Sequence, residues 1–327
     1  MSSLFDVLEY DTRTILADKH LKEVGGIAEK VVVSVSSGKT STYLALNKES
    51  EDKRPYFYQF AVVLTSDKNA QPKDKGLLRE CKNRIPWFEA SHEVDESLKV
   101  ILQLEQELGQ EVRWVASRMT FEDLIIAKRQ LPNQLKRICT QYLKYEPQFL
   151  DTYLNLIEGL ETEGNTFVPN PLSIEVQLGY RWDERQRVYR ALGLEANSSC
   201  EDSFEFAFCC DLEGRFAGNH RWKKVDWRLR TFPLYSRRVT AQKIWKYWES
   251  RFWDYKFPEI SNCVFCFHKR KEELQRQAIL YPERLPNWMQ QEVKSGHTFK
   301  KEGSLQDIIF GSVLTNSSHL MPCSCTD

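Results

Sequence analysis

Six residues, Ser36-Ser37-Gly38-Lys39-Thr40-Ser41, follow the apolar, β-branched run Val31-Val32-Val33-Ser34-Val35. Small side chains in such a place let backbone N–H groups approach an anion closely. The hydroxyls of Ser34, Ser36, Ser37, Thr40 and Ser41 can bond phosphate oxygens, and Lys39 brings a positive charge. A helix starting here adds the favourable partial charge of its N-terminus. The chemistry to expect is capture of a nucleotide's phosphate tail. Gly38-Lys39-Thr40 also spells the end of a Walker P-loop, but that loop needs a glycine five positions before Gly38. The chain has Val33 there, inside the strand, so the Walker reading fails.

The second chemistry-bearing set is cysteine. Of nine cysteines, six form three close pairs, Cys209/Cys210, Cys263/Cys266 and Cys323/Cys325. In a reducing compartment such clustering points to metal binding or redox work rather than to disulfides. "NCVFCFHKR", Asn262 to Arg270, sets two thiols three residues apart beside basic residues. Thiolates at this spacing can ligate one metal centre, and neighbouring cations lower their pKa. Zinc, iron–sulfur and dithiol chemistry all use the pattern, and two inert buried cysteines would show it too.

The elements that must carry these residues alternate. Lys30–Val35 reads as a parallel strand buried on both faces, and Thr40–Asn47 as a helix. Tyr56–Ser66 and Val112–Ser117 read as strands, with Asp95–Leu108 and Phe121–Gln130 as helices. Further on come a strand in "SIEVQLGY", a helix in "RWDERQRVYRAL", a late strand in "VDWRLRTFPL" and an amphipathic helix in "TAQKIWKYWES", N-capped by Thr240. The alternation predicts an α/β protein with a doubly wound, mostly parallel sheet. From about Trp253 the pattern turns irregular, giving three stretches: a lead-in over 1–29, a nucleotide-binding domain over 30–250 and a cysteine-rich region over 251–327.

Lys plus Arg balance Asp plus Glu at 46 each, which argues against a protein that coats nucleic acid by bulk charge. No apolar run approaches a membrane span, and "MSSLFDVLEYDTR" lacks the marks of a secretory signal, so a cytoplasmic protein is expected.

The Ser36–Ser41 loop resembles the pyrophosphate-binding Ser-Gly-Gly-x-Asp-Ser loop of the adenine nucleotide α-hydrolase (PP-loop) superfamily. Ser37 stands for its first glycine and Thr40 for its aspartate. Three more segments, in the same order, are similar to the branch containing 3′-phosphoadenylylsulfate (PAPS) reductases and DNA phosphorothioation proteins: "ICTQYLKYEP", "LGYRWDERQR" and "FPLYSRRVTAQKIWKYW". The resemblance covers roughly residues 30 to 270. It implies an adenine nucleotide, ATP or PAPS, held by the loop with Thr65, Asp67, Lys144, Gly179 and Arg181, with Mg2+ as an optional companion. Taken by itself, Arg181 equally suits an ion pair with Asp183 or Glu184.

The resemblance also implies a [4Fe–4S] cluster. Cys139 occupies the place of the family's first cysteine ligand, and Cys263 and Cys266 that of its last pair. Thr140 replaces a second adjacent cysteine, so a fourth thiol must come from elsewhere, with Cys210 preferred over Cys209 and the tail pair. Zinc on Cys263, Cys266 and His268 is the alternative. Three functions remain open. The first is an ATP pyrophosphatase that adenylates a substrate for sulfur transfer, using Lys39 and served by a cysteine desulfurase or DNA-modification partner. The second is a PAPS reductase with Cys323 or Cys325 as nucleophile, although the reductases' tail motif is absent. The third is a non-catalytic nucleotide-binding subunit of a DNA modification or defence system.

Overall fold

In the computed structural model the described residues are 4–49, 51–134, 136–156, 162–163, 166–167, 174–194, 204–208, 221–225, 227–251, 255–260 and 263–311. Nine strands occur among them: β1 (Lys30–Val35), β2 (Tyr56–Ala61), β3 (Val112–Val115), β4 (Thr162–Glu163), β5 (Thr166–Phe167), β6 (Ile174–Gln177), β7 (Phe204–Phe208), β8 (Arg221–Val225) and β9 (Leu229–Thr231). Five build one all-parallel sheet, in the order β3-β2-β1-β6-β9, with helices flanking it. The pairs β4/β5 and β7/β8 are antiparallel hairpins outside that sheet. The chain therefore moves outward from β1 through β2 to β3, then returns to place β6 on the other side of β1. A reversal of this kind opens a crevice beyond the carboxyl ends of the two central strands.

β1 is buried at five of its six positions, as a valine-rich strand covered on both faces should be. The Asp95–Leu108 helix has the expected bounds, and left-handed Gly109 ends it. Thr120 and Asp123 form a capping box that starts the Phe121–Lys128 helix, and Thr240 caps Ala241–Glu249. One expectation is corrected. The stretch after Trp253 is not irregular throughout, because Lys271–Leu280, Leu285–Ser295 and Leu305–Phe310 are helices. Pro286 sits in the first turn of its helix, where the missing N–H costs nothing, so a residue that reads as a breaker marks a start.

Contacts divide the chain into two units, residues 1–35, 39–58 and 149–251, and residues 36–38, 59–148 and 252–327. They cut across the three stretches read from the sequence. In the first unit a charged network ties β6 to β9 and to the segment before β2. Glu175 on β6 is buried, and its carboxylate accepts from Thr231 Oγ1 at 2.7 Å, Gln177 Nε2 at 3.1 Å and Arg54 Nη1 at 2.8 Å. Arg54 also binds Asp52, which holds that carboxyl well below the usual range. In the second unit an apolar cluster including Phe121, Leu143, Val264, Phe265, Trp288 and Phe299 packs against Cys139 and Cys263.

Removing Arg54 leaves Glu175 buried beside an uncompensated Asp52. Arg54→Met should destabilise the protein by about 3 kcal/mol, toward the low end for a broken buried pair because the arginine is partly exposed. Asp52 contributes stability above the ordinary carboxylate range near pH ~4, and that contribution fades as pH falls. Urea unfolding at pH 7 and pH 3 should show the wild type losing more stability with acid than the variant does. Equal slopes would contradict this account of the network.

Candidate functional site

The parallel register pairs Val31 with Glu175 and Val33 with Gln177, so β1 and β6 end side by side. The Ser36–Ser41 loop and the segment Leu178-Gly179-Tyr180-Arg181 emerge from those two ends. Gly179 lies over the start of the Lys39–Leu46 helix, where a Cβ would stand 3.5 Å from both Ser41 Cα and Thr40 Cγ2. The loop folds on itself through Gly38 N–H, which donates to Ser36 Oγ at 3.3 Å. Ser34, Ser37, Thr40 and Ser41 are buried, while Ser36 and Lys39 are half-buried.

Both cations near the loop are held by the protein. Arg181 Nη1 donates to Thr40 Oγ1 at 2.9 Å and pairs with Glu184 at 3.1 Å, while its Nε reaches Asp183. The ion-pair reading of Arg181 and its placement against the loop are thus both observed. Lys39 Nζ stands 3.4 Å from the centroid of the Trp245 ring, and burial lowers its pKa from the ordinary lysine value. Trp248 Nε1 donates to the Lys39 carbonyl at 3.0 Å, which fixes the first turn of the helix to Ala241–Glu249. The assembly is a helix start with one lysine laid on an aromatic ring and one arginine shared between the loop threonine and two carboxylates.

The second unit gathers Cys139, Cys263 and Cys266 on one small cavity of about 40 Å³, with His92, Lys144 and Trp288. Cys139 sits on a short helix, Ile138–Thr140, that runs into the π-helical turn Gln141–Tyr145 carrying Lys144. Cys263 and Cys266 flank Phe265, a bulky residue at φ +55°. Left-handed backbone at such a residue costs about 1–3 kcal/mol and persists only where the surroundings impose it. Here Phe265 is fully buried, its N–H donates to Gln277 Oε1 at 2.7 Å, and buried Lys269 Nζ donates to the Cys263 carbonyl at 2.6 Å.

Burial, then the neighbouring Cys266, pushes the Cys139 thiol up to about 11, with Lys144 and Arg137 pulling the other way. Burial and the Glu93 carboxylate raise Cys263 as well, and its thiol donates to Glu93 Oε1 at 3.7 Å. Burial opposes the charge on Lys144, yet Cys263, Glu93, Cys139 and Cys266 together hold its pKa above the ordinary value. Lys144, expected at the nucleotide, thus faces the thiols. Burial also holds His92 below the ordinary histidine value, against the pull of Glu122.

Among the described residues no three His, Cys, Asp or Glu side chains stand close enough to hold a single metal ion. Cys209, Cys210, Cys323 and Cys325 lie outside the described residues. Thr65 is buried and donates to Glu122 Oε1 at 2.7 Å, while Asp67 lines a separate cavity of about 800 Å³ with Glu122, Asn287 and Lys294. His92, Glu93 and Trp288 escaped the sequence reading. No spacing ties His92 to a cysteine more than 40 positions away, and only the rarity of histidine, six in the chain, marks it. Compared with known protein families and with characterised proteins, the chain matches none of them.

Burial makes the Cys139 and Cys263 thiols harder to ionise than a free thiol. Iodoacetamide should label them more slowly than a free thiol at pH 8, with rates climbing through pH 10. Mass spectrometry of each cysteine peptide checks this; labelling of both at the free-thiol rate at pH 7 would mean their environment is not the one described.

Proposed function

We propose that the chain is a PP-loop nucleotide enzyme, similar to the sulfur-transfer ATP pyrophosphatases of the PAPS reductase-like family and acting in the cytoplasm. The observation that carries this reading is the hydroxyl-lined loop at the reversal point of a parallel sheet, with Gly179 beside the helix start and Arg181 bonded to Thr40. Fold-level likeness alone would not give a function, so the weight rests on these residues.

In the reaction, a substrate oxygen attacks the α-phosphorus of ATP, the bridging bond to the β-phosphate breaks, and pyrophosphate leaves with the electron pair. Loop amides and Lys39 stabilise the charge that develops on pyrophosphate. Trp245 keeps the lysine ammonium beside the loop before substrate arrives. A depressed lysine pKa reflects partial desolvation, the condition under which one positive charge acts most strongly on an anion.

The donor set of the cysteine cavity suits a metal centre: three thiols share it, and burial outweighs the pull of Lys144 and Arg137, so a bound cation would supply the charge that ionises them. Cys139, Cys263 and Cys266 would hold an iron–sulfur cluster, which supplies electron transfer or a site for sulfur when bound. A sulfur donor such as a cysteine desulfurase, and a DNA-modification partner, are the proteins this chemistry calls for.

Two substitutions test the nucleotide reading. Lys39→Ala should reduce pyrophosphate release from ATP by about 10²–10³-fold. Gly179→Val should weaken ATP binding at least about tenfold, measured by calorimetry, whereas Gly179→Ala, whose Cβ makes only ordinary contacts, should leave the unfolding midpoint little changed. Sulfite release from PAPS without pyrophosphate release from ATP would replace this reading with the reductase. Tight ATP binding without either product would make the chain a nucleotide sensor.

A further inference from the structure

Three thiols leave a four-ligand centre one ligand short, and the position beside Cys139 that could have supplied it is Thr140. The cavity contains an answer that the sequence does not suggest. His92 lines it, is 2% exposed, and its Nε2 is buried without a hydrogen-bond partner. The backbone fixes this residue to the cysteine turn, since Val264 N–H donates to the His92 carbonyl at 2.9 Å and His92 N–H donates to Val63 at 2.9 Å. Its ring is clamped between Phe121 and Trp288, with both centroids at 4.8 Å.

Buried imidazole nitrogens are ordinarily bonded, so an unpartnered one on a cavity lined by thiols points to an occupant that binds it. Trp288 makes the same point independently. It is 2% exposed, lines the same cavity, and its indole N–H has no acceptor. An anionic sulfur is an acceptor of the right kind. His268 also lines the cavity, but it is less buried and its ring lies on Phe267 at 4.5 Å. Imidazole is a known partner of thiolate on iron. A cluster also asks less convergence than a lone ion does, because each ligand takes its own iron.

We propose that His92, through Nε2, is the fourth protein ligand of an iron–sulfur centre held by Cys139, Cys263 and Cys266, with Trp288 N–H donating to one of its sulfurs. This rests on the reading of the cysteine cavity as a metal centre. It replaces Cys210 in that role, and it makes the centre less negative than one held by four thiolates.

The test uses the full chain, purified without oxygen and reconstituted with iron and sulfide. Pulsed electron paramagnetic resonance of the reduced wild type should show strong coupling to one histidine nitrogen, which changes on labelling histidine with 15N. His92→Ala should lose that coupling and release iron to a chelator about tenfold faster or more. His92→Cys should retain iron without nitrogen coupling, and His268→Ala should behave as wild type. A wild type that takes up no iron, or whose iron survives Cys263→Ser unchanged, overturns the metal reading itself. Iron bound without histidine coupling, or coupling lost in His268→Ala and retained in His92→Ala, leaves the thiol centre standing and overturns the role of His92.

Discussion

Parallel pairing of β1 with β6 is the constraint on which the candidate nucleotide site depends. Neither segment is a site alone: one is a small-residue turn after a valine strand, the other a glycine and an arginine after a mixed one. Register places Val33 opposite Gln177, so β6 ends two residues before β1 does and its continuation runs beside the end of β1. Gly179 can then approach Ser41, and Arg181 can bridge to Thr40 across 141 positions of sequence. The buried Glu175 network along β6 opposes any slip of register, because a shift by one residue would turn the carboxylate to the opposite face.

The cysteine cavity is governed by a different balance, between burial and charge. Thiols in an apolar cluster resist ionisation, and Lys144 and Arg137 only partly offset this. Around them the protein spends strong hydrogen-bonding groups on geometry. Lys269 and Lys300, both buried, donate to carbonyls of the cysteine turn and the residues after it, and Gln277 satisfies a strained N–H. A turn held this tightly fixes the backbone that carries Cys263 and Cys266. The backbone of His92 is tied to the same turn through Val264 N–H.

Each unit is discontinuous in sequence: Lys39, Gly179 and Arg181 belong to one, and Cys139, Cys263 and Cys266 to the other. Residues 36–38 cluster with one unit while the strand before them and the helix after them cluster with the other. Among the described residues no helix is long and apolar enough to cross a membrane.

Local chemistry was legible without the fold. Valine density announced β1, apolar residues at near-helical spacing announced the Asp95–Leu108 helix, and the small residues around Gly38 marked a turn between strand and helix. These signals depend on neighbours within a few positions, so the chain alone determined them. Sequence periodicity failed after Trp253, where proline at a helix start reads as a break and polar side chains such as Gln275, Gln277 and Gln291 are buried against the usual pattern. Only the tertiary structure decided that Lys144 faces thiols and that His92 joins Cys139 and Cys263, residues 47 to 171 positions apart from it. Long-range adjacency comes from packing around the shared apolar cluster, and no rule of spacing along a chain encodes it.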